Sequence, residues 1–136
     1  MMSLPVSTLL IAAIPAASVL VYLPFLVVAY GRVQVGYDVA RPRALFDKLP
    51  GYAQRATWAH QNSFEAFMLF AAAALMAYVT QVNSSTAILA ITAHLAARLF
   101  FSIFYILNIP VLRSLMFGIG SAGTVTLMIL SLQQLT

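Results

Sequence analysis

Four long runs of apolar residues make up most of the chain, and short polar segments separate them. Each run is long enough for a helix that crosses the hydrocarbon layer, which needs roughly 20 apolar residues. None has the alternating pattern of a membrane-barrel strand. The pattern predicts an all-α membrane protein, a four-transmembrane-helix bundle in a single domain of residues 1–136. The predicted helices are at about 4–30, 56–80, 86–107 and 112–134.

The composition agrees with a location in the bilayer. Of the 136 residues, 62% are hydrophobic and only 7% are charged, and the mean hydropathy is +0.95. A soluble domain has about 25% charged residues, so this chain lacks the polar side chains to cover itself in water. The first apolar run has no basic segment before it and is longer than the core of a secretory signal, so we expect it to remain as a transmembrane helix.

The basic residues predict the orientation. Loop 31–54 holds four of the seven bases, the connection 108–113 holds Arg113, and the connection 81–85 has no charge. Because basic loops stay in the cytoplasm, we expect loops 31–54 and 108–113 to be cytoplasmic and both termini to lie on the opposite side. Loop bases of this kind contact anionic lipid headgroups. Nucleic acid is not an expected partner, because no basic run is interleaved with aromatic residues in a soluble module.

Two charged residues lie well inside the apolar runs. Glu65 is about 15 Å along the second helix from the cytoplasmic side, and Arg98 is at a similar depth in the third. An unpaired charge at such a depth costs at least about 2.5–3.5 kcal/mol. The sequence therefore predicts that Glu65 and Arg98 pair, within one chain or between neighbours, and face the bundle interior.

Other polar residues share the helix faces of this pair. Arg55 and Asn62 lie close to Glu65 around the second helix, and Tyr105 lies two turns beyond Arg98 on the third. One interpretation is structural: such residues form interhelical hydrogen bonds that only hold the bundle together. The alternative, favoured because Arg113 falls at the same end, is a site for a polar, anionic ligand.

Three segments in order resemble the MAPEG family, the membrane-associated proteins of eicosanoid and glutathione metabolism. They are RATWAHQNSFEAFMLF, ARLFFSIFY and NIPVLRS. The first carries an A-x-x-N-x-x-E pattern, the second an A-R pair that six residues separate from a Tyr, and the third an arginine. The resemblance covers nearly the whole chain. It implies four-helix subunits that form homotrimers and, in the enzymes of the family, glutathione bound between subunits near the cytoplasmic face.

The resemblance also assigns roles to individual residues. It implies that Asn62 and Glu65 hold the backbone and amino group of glutathione, and that Arg98 supports Glu65. Tyr105 would bind near the cysteinyl part, and Arg113 would lie beside the thiol and favour the thiolate. The implied catalytic residues are Arg113 and Tyr105, and the implied cofactor-binding residues are Arg55, Asn62, Glu65, Arg98 and Tyr105, with Arg55 holding a carboxylate.

The chemistry of the chain is consistent with these roles. The chain has no cysteine, so a bound thiol such as glutathione would supply the nucleophile, and a nearby cation would lower its pKa. The implied activity is that of a glutathione-dependent transferase or peroxidase acting on lipophilic electrophiles or hydroperoxides that arrive through the membrane lipid. A metal site is not expected, because His60, His94 and Glu65 do not form a closed ligand set.

Two alternatives remain open at this level. Several glutathione-binding members carry polar residues where this chain has Trp58 and Phe101, and Ala66 replaces an aromatic residue of some members. A non-catalytic, lipid-binding protein of the same fold is therefore the first alternative, and a small exporter that uses Glu65 is the second. For His60 and His94 we expect structural roles, at the start of the second helix and in interhelical packing respectively.

Overall fold

The computed structural model describes residues 4–136, and all regular secondary structure in this part of the chain is helical. The four long helices are α1 (Val6–Gln34), α2 (Gly51–Val79), α3 (Ser85–Ile106) and α4 (Pro110–Gln133). A 3₁₀ helix, Pro42–Lys48, lies between α1 and α2. All four long helices have the length and apolar composition needed to cross a membrane. The predicted four-helix membrane fold is therefore confirmed.

Helices α1 and α2 both extend into the segment that was predicted as a loop. Helix α1 continues to Gln34, and α2 begins at Gly51, directly after Pro50. Hydropathy identifies only the part of a helix that lipid surrounds, so the polar turns at the basic end were assigned to the loop. As a consequence, Arg55 lies inside α2, one turn from its start.

The two tight connections between long helices use the same C-terminal motif. After α2 the N–H of Val82 donates to the Ala77 carbonyl, and after α3 the N–H of Ile109 donates to the Phe104 carbonyl. The intervening residues, Gln81 and Asn108, have φ values of 56° and 60°. These are Schellman motifs, which satisfy the last carbonyls of each helix and turn the chain back so that neighbouring helices run antiparallel.

Small residues allow the helices to approach closely. A Cβ added to Gly31 of α1 would lie 2.5 Å from the Ala53 Cβ of α2, and one added to Gly123 of α4 would lie 2.6 Å from the Ala90 carbonyl oxygen of α3. Within lipid, where apolar burial gives no drive for association, such close packing supplies the van der Waals contact between helices. These two crossings fix α1 against α2 and α3 against α4.

A side chain of α2 bonds to α1 beside a buried proline. Pro24 is buried inside α1, and its missing N–H removes the usual donor to the Leu20 carbonyl, four residues before it. Nδ1 of His60 lies 2.7 Å from the Val21 carbonyl oxygen in the turn before Pro24. Because a carbonyl only accepts, Nδ1 carries the hydrogen and donates. His60 therefore has a structural role, as expected, but it is the tenth residue of α2 and bonds to α1, whereas the sequence had placed it at the start of the helix.

Candidate functional site

Arg98 is at the centre of a buried polar group. Its side chain is only 5% exposed, and its Nη2 donates to Asn62 Oδ1 and to Ser63 Oγ, each at 3.0 Å. The guanidinium also lies over the Phe101 ring, with Cζ 4.0 Å from the ring centroid. Two neutral acceptors on α2 and one aromatic face on α3 thus accommodate the charge inside the apolar layer.

The prediction of an ion pair between Glu65 and Arg98 is wrong for a single subunit, because the two side chains make no direct contact there. Among residues 4–136 the only ion pair joins Arg41 to Asp38, at 3.6 Å, and Glu65 is exposed on the subunit surface. The sequence predicted the depth of each residue along its helix, but whether two side chains make contact depends on the direction in which each one points around the helix axis. Ser63 faces the interior, and Glu65 is about 200° further round α2, so Glu65 points outward.

Glu65 and Arg98 nevertheless share a cavity. This cavity, about 310 Å³ in volume, lies between α2 and α4 with α3 at its base, and it is called the α2–α4 cavity below. Its polar lining includes Asn62, Glu65 and Arg98, and most of the remaining wall is apolar. Its other lining residues are Ala66, Leu69, His94, Phe117, Gly120, Ser121, Thr124, Val125 and Met128. One acidic group, one basic group and one amide therefore meet beside an apolar surface.

His94 has the packing role expected of it. It is 2% exposed and stacks on Phe70 with the ring centroids 3.9 Å apart and the planes 4° from parallel. Its Nδ1 lies 3.0 Å from the Gly120 carbonyl oxygen and 3.2 Å from Thr124 Oγ1. His94 thus ties α3 to α4. Within residues 4–136, His, Asp and Glu side chains form no group of three that could hold a metal ion.

Tyr105 and Arg113 form a second group near the basic end of the bundle. The Arg113 guanidinium lies over the Tyr105 ring, with Cζ 4.6 Å from the ring centroid. Tyr105 in turn contacts Phe101 edge-to-face at 5.5 Å. Neither residue lines the α2–α4 cavity. Phe101, which touches both Arg98 and Tyr105, is therefore the link between the two groups of predicted site residues.

Arg55 has a bond that the sequence did not indicate. Its Nε donates to the Ile106 carbonyl oxygen at 3.0 Å, so it caps the C-terminal end of α3, where a cation is favourable. This bond joins the start of α2 to the turn between Tyr105 and Arg113. Arg55 thus positions that turn through its Nε, and its terminal guanidinium nitrogens are not needed for this bond.

Two further residues belong to the polar group, although neither was among the predicted site residues. Ser63, which accepts from Arg98, directly follows Asn62, and its small polar side chain within a run of buried alanines was the available signal. Ser102 lies four residues after Arg98, on the same face of α3. Arg98 Nε and Ser102 Oγ are both buried, and neither has a partner among the described residues. The site therefore retains unused hydrogen-bonding capacity next to Phe101.

Comparison with known proteins gives one match. The sequence profile of the MAPEG family matches residues 9–133, nearly the whole chain. No curated protein and no solved structure matches the chain. The segments that carried the resemblance all lie within the matched range.

Proposed function

Because this chain belongs to the MAPEG family, we propose that it is an integral membrane glutathione-dependent transferase or peroxidase acting on lipophilic electrophiles or hydroperoxides. The observation that carries this proposal is the lining of the α2–α4 cavity. A carboxylate, an amide and a buried guanidinium face it together, from Glu65, Asn62 and Arg98. Glutathione, with an ammonium group, amide bonds and two carboxylates, is complementary to such a set.

The residues present fit glutathione in the following way. Glu65, which has no cation within 4 Å among the described residues, would accept from the ammonium group, and the Asn62 amide would bind the peptide backbone. Arg98 holds the Asn62 oxygen at 3.0 Å, so it fixes the orientation of that amide. It therefore supports Asn62, where the resemblance implied support of Glu65. Ser102 Oγ and Arg98 Nε are buried donors without partners beside the same group.

The chemistry would take place at the basic end of the site. Bound glutathione supplies a thiolate, the nucleophile for an electrophilic carbon or a hydroperoxide oxygen. The Arg113 guanidinium, stacked on Tyr105, supplies fixed positive charge that favours this anion. The Tyr105 hydroxyl supplies a hydrogen-bond donor. The contact with the ring favours this position of Arg113, which lowers the reorganisation that its charge needs during the reaction.

The exposed Glu65 supports a homotrimer. A carboxylate on the lipid-facing surface of a transmembrane helix is costly, and a neighbouring subunit that covers α2 would remove it from lipid. We expect native mass spectrometry in mild detergent to detect trimers. Spectra that contain only monomers or dimers would contradict this part of the proposal.

We also propose that the basic end of the bundle is cytoplasmic, on the distribution of arginine and lysine. Because the chain has no cysteine, single cysteines report the sidedness without background. In intact cells, Arg41→Cys should be protected from a membrane-impermeant maleimide, and Thr136→Cys should be labelled. The reverse pattern would invert the topology.

A lipid-binding protein without catalytic activity is the second candidate, and the apolar wall of the α2–α4 cavity favours it. Trp58 packs on Phe46, with ring centroids 5.6 Å apart, and Phe101 is buried under Arg98, so neither offers a polar contact. The small exporter is the weaker alternative. A carboxylate that carries protons would work best without a nearby cation, and Glu65 shares its cavity with Arg98.

Calorimetric titration of glutathione into detergent-purified protein separates the first two candidates. We expect binding to the wild type and weaker binding, by about ten-fold, to Asn62→Leu, which removes one directed hydrogen-bonding group. Asn83→Leu is the matched control, because Asn83 lies in the α2–α3 connection at the other end of the bundle. If the wild type does not bind glutathione, the lipid-binding candidate replaces the enzyme. Equal binding by Asn62→Leu would remove the α2–α4 cavity as the site.

A further inference from the structure

A small cavity lies on the α1 side of Arg98, in the interior of the bundle. Its volume is about 10 Å³, which is enough for one water molecule. Its lining residues belong to α1, α2 and α3, and they include Ala17, Leu20, Ser63 and Arg98. It is called the core cavity below, and it differs from the α2–α4 cavity, which has no lining residue from α1.

Arg98 brings an unused donor to the core cavity. Its Nη2 donates to Asn62 and Ser63, but its Nε is buried and has no partner among residues 4–136. An N–H of a charged group that is buried without an acceptor is costly. Ser63 adds a second donor, because its oxygen accepts from Arg98 and its hydroxyl hydrogen remains available. This side of the cavity therefore needs an acceptor.

Helix α1 brings an acceptor to the same cavity. Because Pro24 has no N–H, the Leu20 carbonyl lacks its usual helical donor. A helical carbonyl points toward the residue four places further on, so the Leu20 carbonyl lies on the Pro24 face of α1, which is buried. His60 bonds to the neighbouring carbonyl, that of Val21. The Leu20 carbonyl therefore needs another donor, and Leu20 lines the core cavity.

We propose that the core cavity binds one water molecule, which accepts from Arg98 Nε and donates to the Leu20 carbonyl. The Ser63 hydroxyl is its third partner, and about three hydrogen bonds are typical of a buried water. The site suits a small neutral molecule that both accepts and donates, since the guanidinium only donates and the carbonyl only accepts.

The water joins α1 to the polar group of α2 and α3. The side-chain hydrogen bonds of Arg98 within residues 4–136 all go to α2, so the water gives it a bond to α1 as well. Because Arg98 holds the Asn62 amide, α1 is linked in this way to the wall of the α2–α4 cavity. The proposal does not depend on glutathione binding, because neither Leu20 nor Ser63 lines that cavity.

Crystallography of the full protein tests for the water directly. We expect a peak of density within about 3.2 Å of both Arg98 Nε and the Leu20 carbonyl oxygen, the limit for such hydrogen bonds. A map that resolves other buried waters but has no peak at this position would overturn the proposal. A direct bond from Arg98 Nε to an oxygen of the protein would overturn it as well.

Two substitutions of the same shape test the bond in solution. Ala17 is buried and lines the core cavity, so Ala17→Val and Ala17→Thr both displace the water, but only the threonine hydroxyl can replace it as an acceptor for Arg98 Nε. We expect the equilibrium constant of unfolding in sodium dodecyl sulfate to be about ten-fold larger for Ala17→Val, the effect of losing a hydrogen bond to a charged group. In crystals of Ala17→Thr the hydroxyl should occupy the position of the water.

Ala13 is the matched control. It lies one turn before Ala17 on α1, is buried in the apolar core and does not line the core cavity. There a threonine hydroxyl meets the backbone of its own helix, so Ala13→Thr should be no more stable than Ala13→Val. The same preference for threonine at both positions, or no preference at Ala17, would contradict the proposal. If neither Ala17 variant folds, the density in wild-type crystals decides the question by itself.

Discussion

Gly123 is the position where one methyl group should disturb the bundle most clearly. It lies in α4 at the crossing with α3, where an added Cβ would be 2.6 Å from the Ala90 carbonyl oxygen and 3.4 Å from both the Cβ and the backbone N of His94. Two of these three atoms belong to the backbone of α3. Gly123→Ala therefore cannot be relieved by a change of side-chain rotamer, and the helices themselves must separate.

The size of the effect follows from that distance. A carbon atom normally approaches a carbonyl oxygen to about 3.3 Å, so α4 must move away from α3 by about 0.7 Å at this level. Overpacking of this kind costs about 1–3 kcal/mol. The movement would also stretch the bond between His94 and the Gly120 carbonyl, which is 3.0 Å long in the wild type.

Two other glycines of α4 are matched controls. A Cβ at Gly118 would meet nothing within 4 Å, and one at Gly120 would lie 3.4 Å from Arg98 Cδ, the middle of a flexible side chain. Gly118→Ala should be neutral or stabilising by up to about 1 kcal/mol, the difference in helix propensity between the two residues. Gly120→Ala should fall between Gly118→Ala and Gly123→Ala. The same substitution on one helix thus has three expected outcomes.

The assay is unfolding by sodium dodecyl sulfate from mild detergent, followed by the fluorescence of Trp58, the only tryptophan. We expect the free energy of unfolding of Gly123→Ala to lie about 1–3 kcal/mol below that of Gly118→Ala, because the gain in helix propensity is common to both variants. Equal stability of these two variants would refute the close α3–α4 crossing. The order Gly120 below Gly123 would show that the two helices cross at a different residue.

The remaining predictions concern the polar side chains. Asn62→Leu and Arg98→Met should be non-additive in a double-mutant cycle, because each alone removes the bond between these two residues; additive losses would show that they do not interact. Glu65→Gln should change the free energy of unfolding of the isolated subunit little; a large decrease would indicate that Glu65 does pair with Arg98 within the subunit. Arg55→Leu should destabilise by about 1–3 kcal/mol, since it leaves a carbonyl at the end of α3 unsatisfied, and thermal unfolding measures this. With glutathione bound, Arg113→Leu should raise the pKa of the glutathione thiol, followed by thiolate absorbance against pH; an unshifted pKa in the wild type would exclude the thiolate mechanism.

The sequence by itself determined the class of the protein and the position of its helices in the chain. A chain with 7% charged residues and four apolar runs can satisfy its backbone hydrogen bonds inside lipid only as helices. Hydropathy is a local property, so the membrane-spanning segments can be identified without knowledge of the fold. Hydropathy placed the end of α1 too early and the start of α2 too late, because a helix can continue past the apolar layer. At the start of α2 this continuation stops at Pro50.

The tertiary structure decided which polar residues meet. Depth along a helix could be counted from the sequence, and it put Arg98 level with Glu65; in the structure Arg98 bonds to Asn62, about one turn from Glu65. The direction of each side chain depends on how two helices are rotated against each other, which is fixed by close crossings such as Gly123 on Ala90. That rotation turns Ser63 and Asn62 toward Arg98 and leaves Glu65 on the outer surface. Local sequence contains no such information, because the rotation is set by contacts between residues far apart in the chain.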